Sequence, residues 1–418
     1  MIRQLQGFDK LFYNGKTMTP LVLRFGNPKD VAPVADMLCK KVLAFQYGTD
    51  GHILYKNPQR VPVYDIPNIR RMEDLCKYMV EHHTRPFEYA LGSIGVNNDS
   101  IVINCNHMMA DAGYLHFIID EVVNGRNSEL IDEYPRSSEF LFGTEISEAS
   151  DKEIPSNYDM RLTNFISKDR DQLNSNQYSR LIISEVPAES LTCYDKQAKS
   201  LDSFRDSLLT CFYAATVAYS AQSYKCGIEN RVDLRRYLKK VSWNDTCVFS
   251  MIPIITSVLP SETLAEIGKK LHSDLHNRVD SGCAFSYLKA IYEGKKGPQF
   301  NGARCEISNI GVTNVGGPLV DAYYGYSELY TLMPHIMSFT SFSIAGNGSH
   351  NVVLRLKYAP NNVSKREAKM MSASTLFALQ SIDPSTPLEK AIDEIRSFQK
   401  NYLKNNKGTI ASYIHLDD

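Results

Sequence analysis

The segment from Ser100 to Val123 constrains the fold of this chain more than any other. Residues Ser100–Asn106 are uncharged and rich in β-branched side chains, and three turn-forming residues precede them, so a buried strand is predicted here. From Tyr114 to Val123 the apolar side chains recur at helical spacing, which predicts an amphipathic helix. The residues between these two elements must therefore turn the chain from a strand into a helix.

The predicted turn carries the side chains that point to chemistry. A histidine held at the end of a rigid element, with one ring nitrogen facing a substrate, can act as a general base, and His107 stands at such a position. Asp111 follows four residues later, where its carboxylate can brace the loop, and Ala112-Gly113 supplies small residues for a tight turn. The spacing alone also fits a buried core histidine followed by a helix-capping aspartate.

Predicted helices and strands alternate through both halves of the chain, which indicates an α/β (α+β) protein. With 418 residues the chain is too long for one ordinary core. The polar, acidic stretch from Phe142 to Ser179 predicts a crossover between two globular halves, and we therefore expect domains of residues 1–170 and 171–418. Helices are predicted at 27–45, 69–82, 114–123, 203–219, 262–279 and 365–379, and strands at 100–106, 180–186, 248–259, 337–344 and 352–358.

Charge and cysteine content exclude several classes of function. The formal net charge is -1, so no global basic field attracts nucleic acid or anionic lipid. The nine cysteines include no Cys-x-x-Cys pair, which argues against a zinc knuckle and a secreted disulfide framework. Neither a signal peptide nor a membrane span is predicted, because polar residues interrupt every long apolar run. We expect a reduced, cytoplasmic protein with no nucleic-acid or membrane partner.

The turn and its flanking elements resemble the signature region of the acyltransferase superfamily built on the chloramphenicol acetyltransferase fold. That superfamily includes plant BAHD acyltransferases, alcohol acetyltransferases and the condensation domains of peptide synthetases, and its pattern is a strand, then His-x-x-x-Asp-Gly, then an amphipathic helix. Here the corresponding segment is Asn106–Gly113. Two later segments are also similar, and in the expected order: Asn230–Leu238 to the Val-Asp-x-Arg segment, and Ile307–Gly311 to the Ser-Asn-x-Gly strand.

The resemblance implies two chloramphenicol acetyltransferase-like subdomains with an active-site tunnel between them. The acyl thioester of coenzyme A, or of a carrier-protein pantetheine, would enter one mouth, and a small-molecule alcohol or amine would enter the other. His107 would be the general base, and Ser308 or Asn309 would donate hydrogen bonds to the oxyanion. Asp111 would turn away from the substrate and pair with Arg235. No permanently bound cofactor is implied, since acyl-coenzyme A is a co-substrate.

The sequence departs from the superfamily pattern in three places. Asn106 replaces the first histidine of the double-His form, and Ala112 stands where glycine is usual, with Gly113 one place later. The Asp-Phe-Gly-Trp-Gly motif is absent, and Trp243 is the single tryptophan, which excludes a typical plant BAHD enzyme. Three functions stay open: a coenzyme A-dependent acyltransferase, a free-standing condensation-type enzyme with a carrier-bound donor, and a catalytically silent scaffold.

Other candidate sites are weaker. His272 and His276 lie four residues apart on a predicted helix, as zinc ligands can, but no third ligand is evident and no metal is predicted. Glu81-His82-His83 is predicted to end a helix, where positive charge is favourable. Gly346-Asn347-Gly348 predicts a hairpin turn. The pairs Lys239-Lys240 and Lys295-Lys296 are expected in solvent, with contact to a coenzyme A phosphate as the alternative.

Overall fold

The computed structural model describes residues 3–57, 63–126, 128–131, 134–150, 163–173, 179–201, 203–220, 225–293, 303–329 and 336–405. The described helices are α1 (Gly7–Asn14), α2 (Val31–Lys41), α3 (Met72–His83), α4 (Ala112–Val123), α5 (Ser138–Glu148), α6 (Phe204–Ser220), α7 (Leu264–Asp280), α8 (Cys283–Tyr292), α9 (Lys365–Ser381) and α10 (Leu388–Asn405). The described strands are β1 (Arg3–Gln4), β2 (Met18–Phe25), β3 (Tyr47–Thr49), β4 (Ile53–Lys56), β5 (Val63–Asp65), β6 (Gly92–Val96), β7 (Ser100–Asn106), β8 (Arg136–Ser137), β9 (Asn164–Phe165), β10 (Arg180–Pro187), β11 (Tyr194–Asp195), β12 (Ser200–Leu201), β13 (Lys225–Asp233), β14 (Asp245–Cys247), β15 (Phe249–Ser257), β16 (Ala303–Asn314), β17 (Leu319–Tyr324), β18 (Ile336–Gly346) and β19 (Ser349–Tyr358).

The first large sheet has the predicted strand β7 at its centre. Within the described residues its order is β17-β2-β7-β6-β5, and β7 runs antiparallel to both of its neighbours. Every residue of β7 is buried, which explains why its sequence is uncharged and does not alternate between apolar and charged residues. This central position holds the end of β7, and therefore His107, on a rigid support.

The second large sheet is built mainly from the C-terminal half. Its order among the described strands is β10-β19-β18-β16-β13-β15, with β9 also paired to β16. Strands β13 and β16 are parallel, and they pair with each other at two positions, Glu229–Glu306 and Asn230–Ile307. No further pairs join the two strands, although both are described over their whole lengths. Arg231 and Ser308, the next residues on each strand, line a cavity.

Strand β17 connects the two halves of the molecule. It belongs to the C-terminal half by sequence, yet it pairs antiparallel with β2 at the edge of the first sheet. Helix α4 packs against both β17 and β16. The two sheets and the helices on them give the mixed α/β architecture that the sequence predicted. The division at residue 170 stays a prediction, because the halves exchange elements.

Most predicted elements are present, with local corrections. The helix predicted at 27–45 is interrupted, because Val42 is extended (φ -78°, ψ 103°) and ends α2. The crossover was predicted to begin at Phe142, but helix α5 continues to Glu148. This helix buries Phe142 and Ile146, which are apolar residues in an otherwise polar stretch. Within the predicted crossover, β9 pairs antiparallel with β16 and so belongs to the second sheet. Residues 151–162 and 174–178 of that crossover lie outside the described residues.

Candidate active site

The turn after β7 is held by hydrogen bonds from Asn106. The side-chain oxygen of this fully buried residue accepts from the Met108 amide at 3.1 Å, and its backbone carbonyl accepts from the Met109 amide at 2.8 Å. The His107 amide donates to the Thr17 carbonyl at 2.9 Å on the neighbouring strand connection. Asn106, which departs from the double-His pattern, therefore has a structural function in closing the turn that presents His107.

The His107 ring lies deep in the protein between aromatic side chains. It stacks on Phe12 with ring centroids 4.0 Å apart and planes within 6°, and Phe249 lies 5.7 Å away. Nδ1 is buried and makes no hydrogen bond with the described residues, which leaves Nε2 as the nitrogen able to meet a substrate in the adjoining cavity. Burial, helped by the nearby positive charge of Arg231, lowers the pKa of His107 to about 3. The ring is therefore neutral at physiological pH and can accept a proton.

Asp111 turns away from His107 and joins the two halves. Its carboxylate forms a two-point ion pair with Arg235, with N–O distances of 2.8 and 3.1 Å, so the predicted pairing of these residues is present. It also accepts from the Val248 amide at 2.6 Å and caps α4 through the Tyr114 amide at 2.8 Å. Because both charged side chains are about 95% buried, this pair fixes the turn against the C-terminal half.

Gly113 is required by the same ion pair. A Cβ built at this position would lie 2.3 Å from Oδ2 of Asp233 and 2.5 Å from Nη1 of Arg235. Asp233 is the second acid on Arg235, at 3.0 Å from Nη1. Sterics therefore explain why glycine stands at position 113, one place later than in the superfamily pattern. Only a residue without a side chain leaves room for the side chains of Asp233 and Arg235.

Two neighbouring cavities lie on the His107 side of the two sheets, and His107 lines the inner one. The inner cavity, of about 70 Å³, lies between the two sheets and is lined by His107 and Phe12 from the first half and by Arg231 and Ser308 from the second. The outer cavity, of about 1070 Å³, lies between α3, the segment after it and the 325–329 segment. Leu181, Gly325, Tyr326 and Arg355 line both cavities. The outer cavity therefore lies next to the one that contains the His107 ring.

Ser308 and Asn309 have different surroundings. Ser308 lines the inner cavity with His107. Asn309 does not line it: its side-chain oxygen accepts from Ser341 Oγ at 3.0 Å and from the Gly311 amide at 3.3 Å. The register between β16 and β18 shifts at this point, so Ile310 bulges, and Ile310 also lines the inner cavity. The structure therefore brings Ser308, but not Asn309, to the candidate site.

Sequence reasoning missed the charged groups around the inner cavity. Arg231 pairs with Glu306, and Lys357 pairs with Glu328 at 3.1 Å. Arg355, two residues before Lys357 on β19, is 4% exposed and lines the same cavity. The signal was available, because charges at positions i and i+2 of an otherwise apolar strand project from one face. In β19 the alternating residues Leu354 and Leu356 are fully buried on the other face.

The weaker candidate sites have local structural explanations. His272 bonds to Asp206 at 2.8 Å and stacks near His276, and the described residues hold no group of three or more His, Cys, Asp or Glu side chains placed to bind a metal. His82 and His83 occupy the last turn of α3. Asn347 and Gly348, both with positive φ, form the hairpin turn predicted between β18 and β19. Lys295-Lys296 lies outside the described residues. No helix among the described residues is long and apolar enough to cross a membrane.

Comparison with known proteins identifies the fold. No protein-family model and no curated protein matches this sequence. Solved structures match over nearly the whole chain, among them the epimerization domain from the third module of tyrocidine synthetase B (TM-score 0.62, 11% identity, 96% of this chain and 98% of that chain). The chain has the condensation-domain fold.

Two further structures of this fold extend the comparison. Polyketide synthase associated protein 5 from Mycobacterium tuberculosis matches with a TM-score of 0.61 and 11% identity, over 92% of this chain and 97% of that chain. A mutant of the starter condensation domain of rhizomide synthetase, solved in complex with C8-CoA, matches with a TM-score of 0.63 and 8% identity, over 93% and 97%. The two facing sheets with His107 between them are thus the condensation-domain architecture predicted from the sequence.

Proposed function

We propose that this protein is an acyltransferase that moves an acyl group from an acyl-coenzyme A thioester to a hydroxyl or amine of a small molecule. The observation that carries the proposal is the position of His107, which lines the inner cavity between the two sheets with Nε2 as the nitrogen left to face it. The condensation-domain fold supports acyl transfer as the general reaction class, although fold alone does not set the chemistry.

In the proposed reaction, His107 Nε2 takes the proton from the acceptor as the acceptor oxygen or nitrogen attacks the thioester carbonyl. The tetrahedral oxyanion that forms needs a donor, and the Ser308 hydroxyl is the candidate on the facing sheet. Collapse of this intermediate breaks the carbon–sulfur bond, and the leaving thiolate takes the proton back from His107. Asp111 does not touch the reactants; its pair with Arg235 holds the turn in place.

A free-standing condensation-type enzyme is the second candidate. The fold similarity to domains of peptide synthetases favours a carrier-protein-bound thioester as donor. Against this, condensation domains with the double-His form have a histidine where this chain has Asn106. The Asn106 side chain and carbonyl instead hold the turn through hydrogen bonds to the Met108 and Met109 amides. We therefore rank coenzyme A above the carrier protein as the donor, and the same assay separates the two.

The test is release of free thiol from a panel of acyl-coenzyme A and carrier-bound thioesters, with mixed alcohol and amine acceptors. Wild type should release thiol from acyl-coenzyme A, and His107→Ala should lower kcat by about 10²–10⁴-fold, the usual contribution of a general base. His276→Ala, which removes a histidine far from both cavities, is the matched control and should keep the wild-type rate. Release from carrier-bound donors alone would select the second candidate, and full activity of His107→Ala would refute the catalytic assignment.

A further inference from the structure

Three cations line the inner cavity, and two of them form an ion pair with an acid among the described residues. Arg231 is paired with Glu306, and Lys357 is paired with Glu328. In both cases burial opposes the charged form, yet the neighbouring carboxylate raises the pKa above its ordinary value. The third cation, Arg355, shows the opposite behaviour: burial lowers the pKa of its guanidinium. Arg355 therefore stands apart from its two neighbours.

Most N–H donors of the Arg355 guanidinium make no hydrogen bond to the described residues. Among the described residues it makes one hydrogen bond, from Nη1 to the Tyr324 carbonyl at 3.0 Å, and no ion pair. Its guanidinium carbon lies 5.5 Å from the centre of the Tyr326 ring, a cation–π contact that supports one side. A guanidinium has five N–H donors in a planar fork, so the donors that remain are available to a ligand in the cavity.

Two further polar atoms in the outer cavity have no hydrogen bond within the part of the chain that the structure describes. The Tyr323 hydroxyl and Oε1 of Glu73 are both buried without a hydrogen bond to the described residues, and both residues line the outer cavity with Arg355. Glu73 pairs with Arg71 at 3.0 Å rather than with Arg355, and burial raises its pKa to about 7. Glu73 therefore compensates the Arg355 charge only in part at neutral pH. A buried donor without an acceptor is unfavourable, and a bound anion would accept hydrogen bonds from the unused N–H groups of Arg355.

The position of Arg355 limits which anion can bind there. Arg355 lines both the outer cavity and the small inner cavity that contains His107. An anion held by Arg355 in the inner cavity shares that cavity, of about 70 Å³, with the His107 ring. The phosphates of coenzyme A do not meet this requirement, since the long pantetheine arm separates them from the thioester. The anion must belong to the acceptor or to the acyl group itself.

We propose that Arg355 anchors a carboxylate carried by the substrate, at the place where the inner and outer cavities share lining residues. The planar fork of arginine matches the two oxygens of a carboxylate. This proposal deepens the proposed function, on which it rests for the statement that the bound acid is a substrate. The substrate class is then an acyl acceptor that is a hydroxy or amino acid, or an acyl donor that carries a terminal carboxylate.

The experiment measures binding to the full chain by isothermal titration calorimetry, with matched acids and neutral analogues. The acceptor arm uses lactate against lactamide, mandelate against mandelamide and salicylate against salicylamide, and the donor arm uses malonyl-coenzyme A against acetyl-coenzyme A. Wild type should bind the acid of at least one pair about 10- to 100-fold more tightly, as expected for charge-assisted hydrogen bonds. The arm in which the preference occurs identifies whether the acceptor or the acyl group carries the carboxylate.

Variants assign the preference to this side chain. Arg355→Gln should remove it, and Arg355→Lys, which keeps the charge without the fork, should retain a smaller part of it. Lys77→Gln is the matched control, because Lys77 is an exposed cation that lines the same outer cavity, and it should keep the full preference. Circular dichroism checks that each variant is folded; if Arg355→Gln is not, Arg355→Lys decides the same comparison.

The outcomes separate this proposal from the proposed function. An acid preference lost in Arg355→Gln supports the carboxylate site. Equal binding of acid and neutral analogue in every pair, or a preference that survives in Arg355→Gln, overturns it. The same titrations with His107→Ala need no catalysis and should show the wild-type preference. A negative thiol-release assay would therefore contradict acyl transfer but not the carboxylate site. Titrations without an acid preference would contradict the carboxylate site but not acyl transfer.

Discussion

At the level of single residues, the surroundings of His107 determine how the protein should respond to pH. Its ring is stacked on Phe12, with Arg231 and Lys357 nearby, and burial in this setting lowers its pKa from 6.5 to about 3. In the unfolded chain the same histidine takes up a proton near pH 6.5. Between about pH 6.5 and 3 the unfolded state therefore binds more protons at this histidine than the folded state does. The contribution of His107 to the free energy of unfolding is complete above pH 6.5 and is lost as the pH falls towards 3.

The pH dependence of activity follows from the same group. We expect kcat/KM to show no loss on the acid side near pH 6.5, because His107 stays unprotonated there, and to decline only as the pH approaches the lowered value. The measurement is a kcat/KM profile from pH 4 to 9 under conditions where the protein stays folded. An acid limb centred near pH 6.5 that disappears in His276→Ala would assign the titration to another histidine and contradict this prediction.

Asp111 and Arg235 should affect stability as well as rate. Asp111→Ala removes a buried carboxylate and leaves Arg235 with Asp233 alone, so we expect a loss of about 3 kcal/mol, the lower end of the range for a broken buried pair. For a chain of this length such a loss lowers Tm by about 3–4 °C. Differential scanning calorimetry of both single variants and the double variant should give a coupling energy of at least about 0.5 kcal/mol. Additive effects would show that the two side chains do not act as a pair.

At the level of elements, the bulge in β16 places Ile310 in the lining of the inner cavity, which His107 also lines. Gly311 follows the bulge with φ +96°, a conformation that costs other residues about 1–2 kcal/mol. No atom lies within 4 Å of a Cβ built there, so the cost is conformational rather than steric. Gly113 is the opposite case, because its φ is ordinary and a Cβ would overlap a charged group.

Replacement of Gly311 should therefore act through the strand. We expect Gly311→Ala to lower the free energy of unfolding by about 1–2 kcal/mol and to raise KM more than it lowers kcat, since Ile310 lines the inner cavity and takes no part in the proposed proton transfer. Urea unfolding and steady-state kinetics measure the two effects. Gly348→Ala, also at positive φ but in the exposed hairpin, is the matched control and should lose stability without a change in KM.

At the level of the whole molecule, the exchange of β17 should make the two halves unfold together. This strand comes from the C-terminal half and pairs along β2 from Leu319–Phe25 to Tyr324–Leu21. The buried Asp111–Arg235 pair adds a second connection across the same boundary. Neither half can lose its structure without exposing an edge or a charge of the other, and such exposure is unfavourable.

We therefore expect a single cooperative transition, although chains of this size often unfold in stages. Intrinsic fluorescence of Trp243, which is fully buried, and far-ultraviolet circular dichroism should give coincident urea curves. A separate early transition by one probe would show that the halves are independent. In the Asp111→Ala variant the two curves should stay coincident, because β17 still joins the sheets.

The sequence by itself determined the elements that depend on local patterns. The strand Ser100–Asn106 was predicted with the bounds that the structure shows, because a continuous apolar, β-branched run bounded by turn residues is a local signal. The fold followed from the His107–Asp111 segment and two later motifs that resemble one superfamily, and the expected partner of Asp111, Arg235, lies against it. The catalytic functions of these residues remain predictions.

The tertiary structure alone decided what depends on contacts between distant segments. The sequence did not show that β17 would leave its own half, since strand pairing is set by packing rather than by local propensity. It also did not distinguish Ser308 from Asn309, because a bulge changes which residue of a strand faces the cavity. Arg355 is one of several basic residues in the sequence, and only the folded chain shows it buried, without an ion pair among the described residues, and next to His107's cavity.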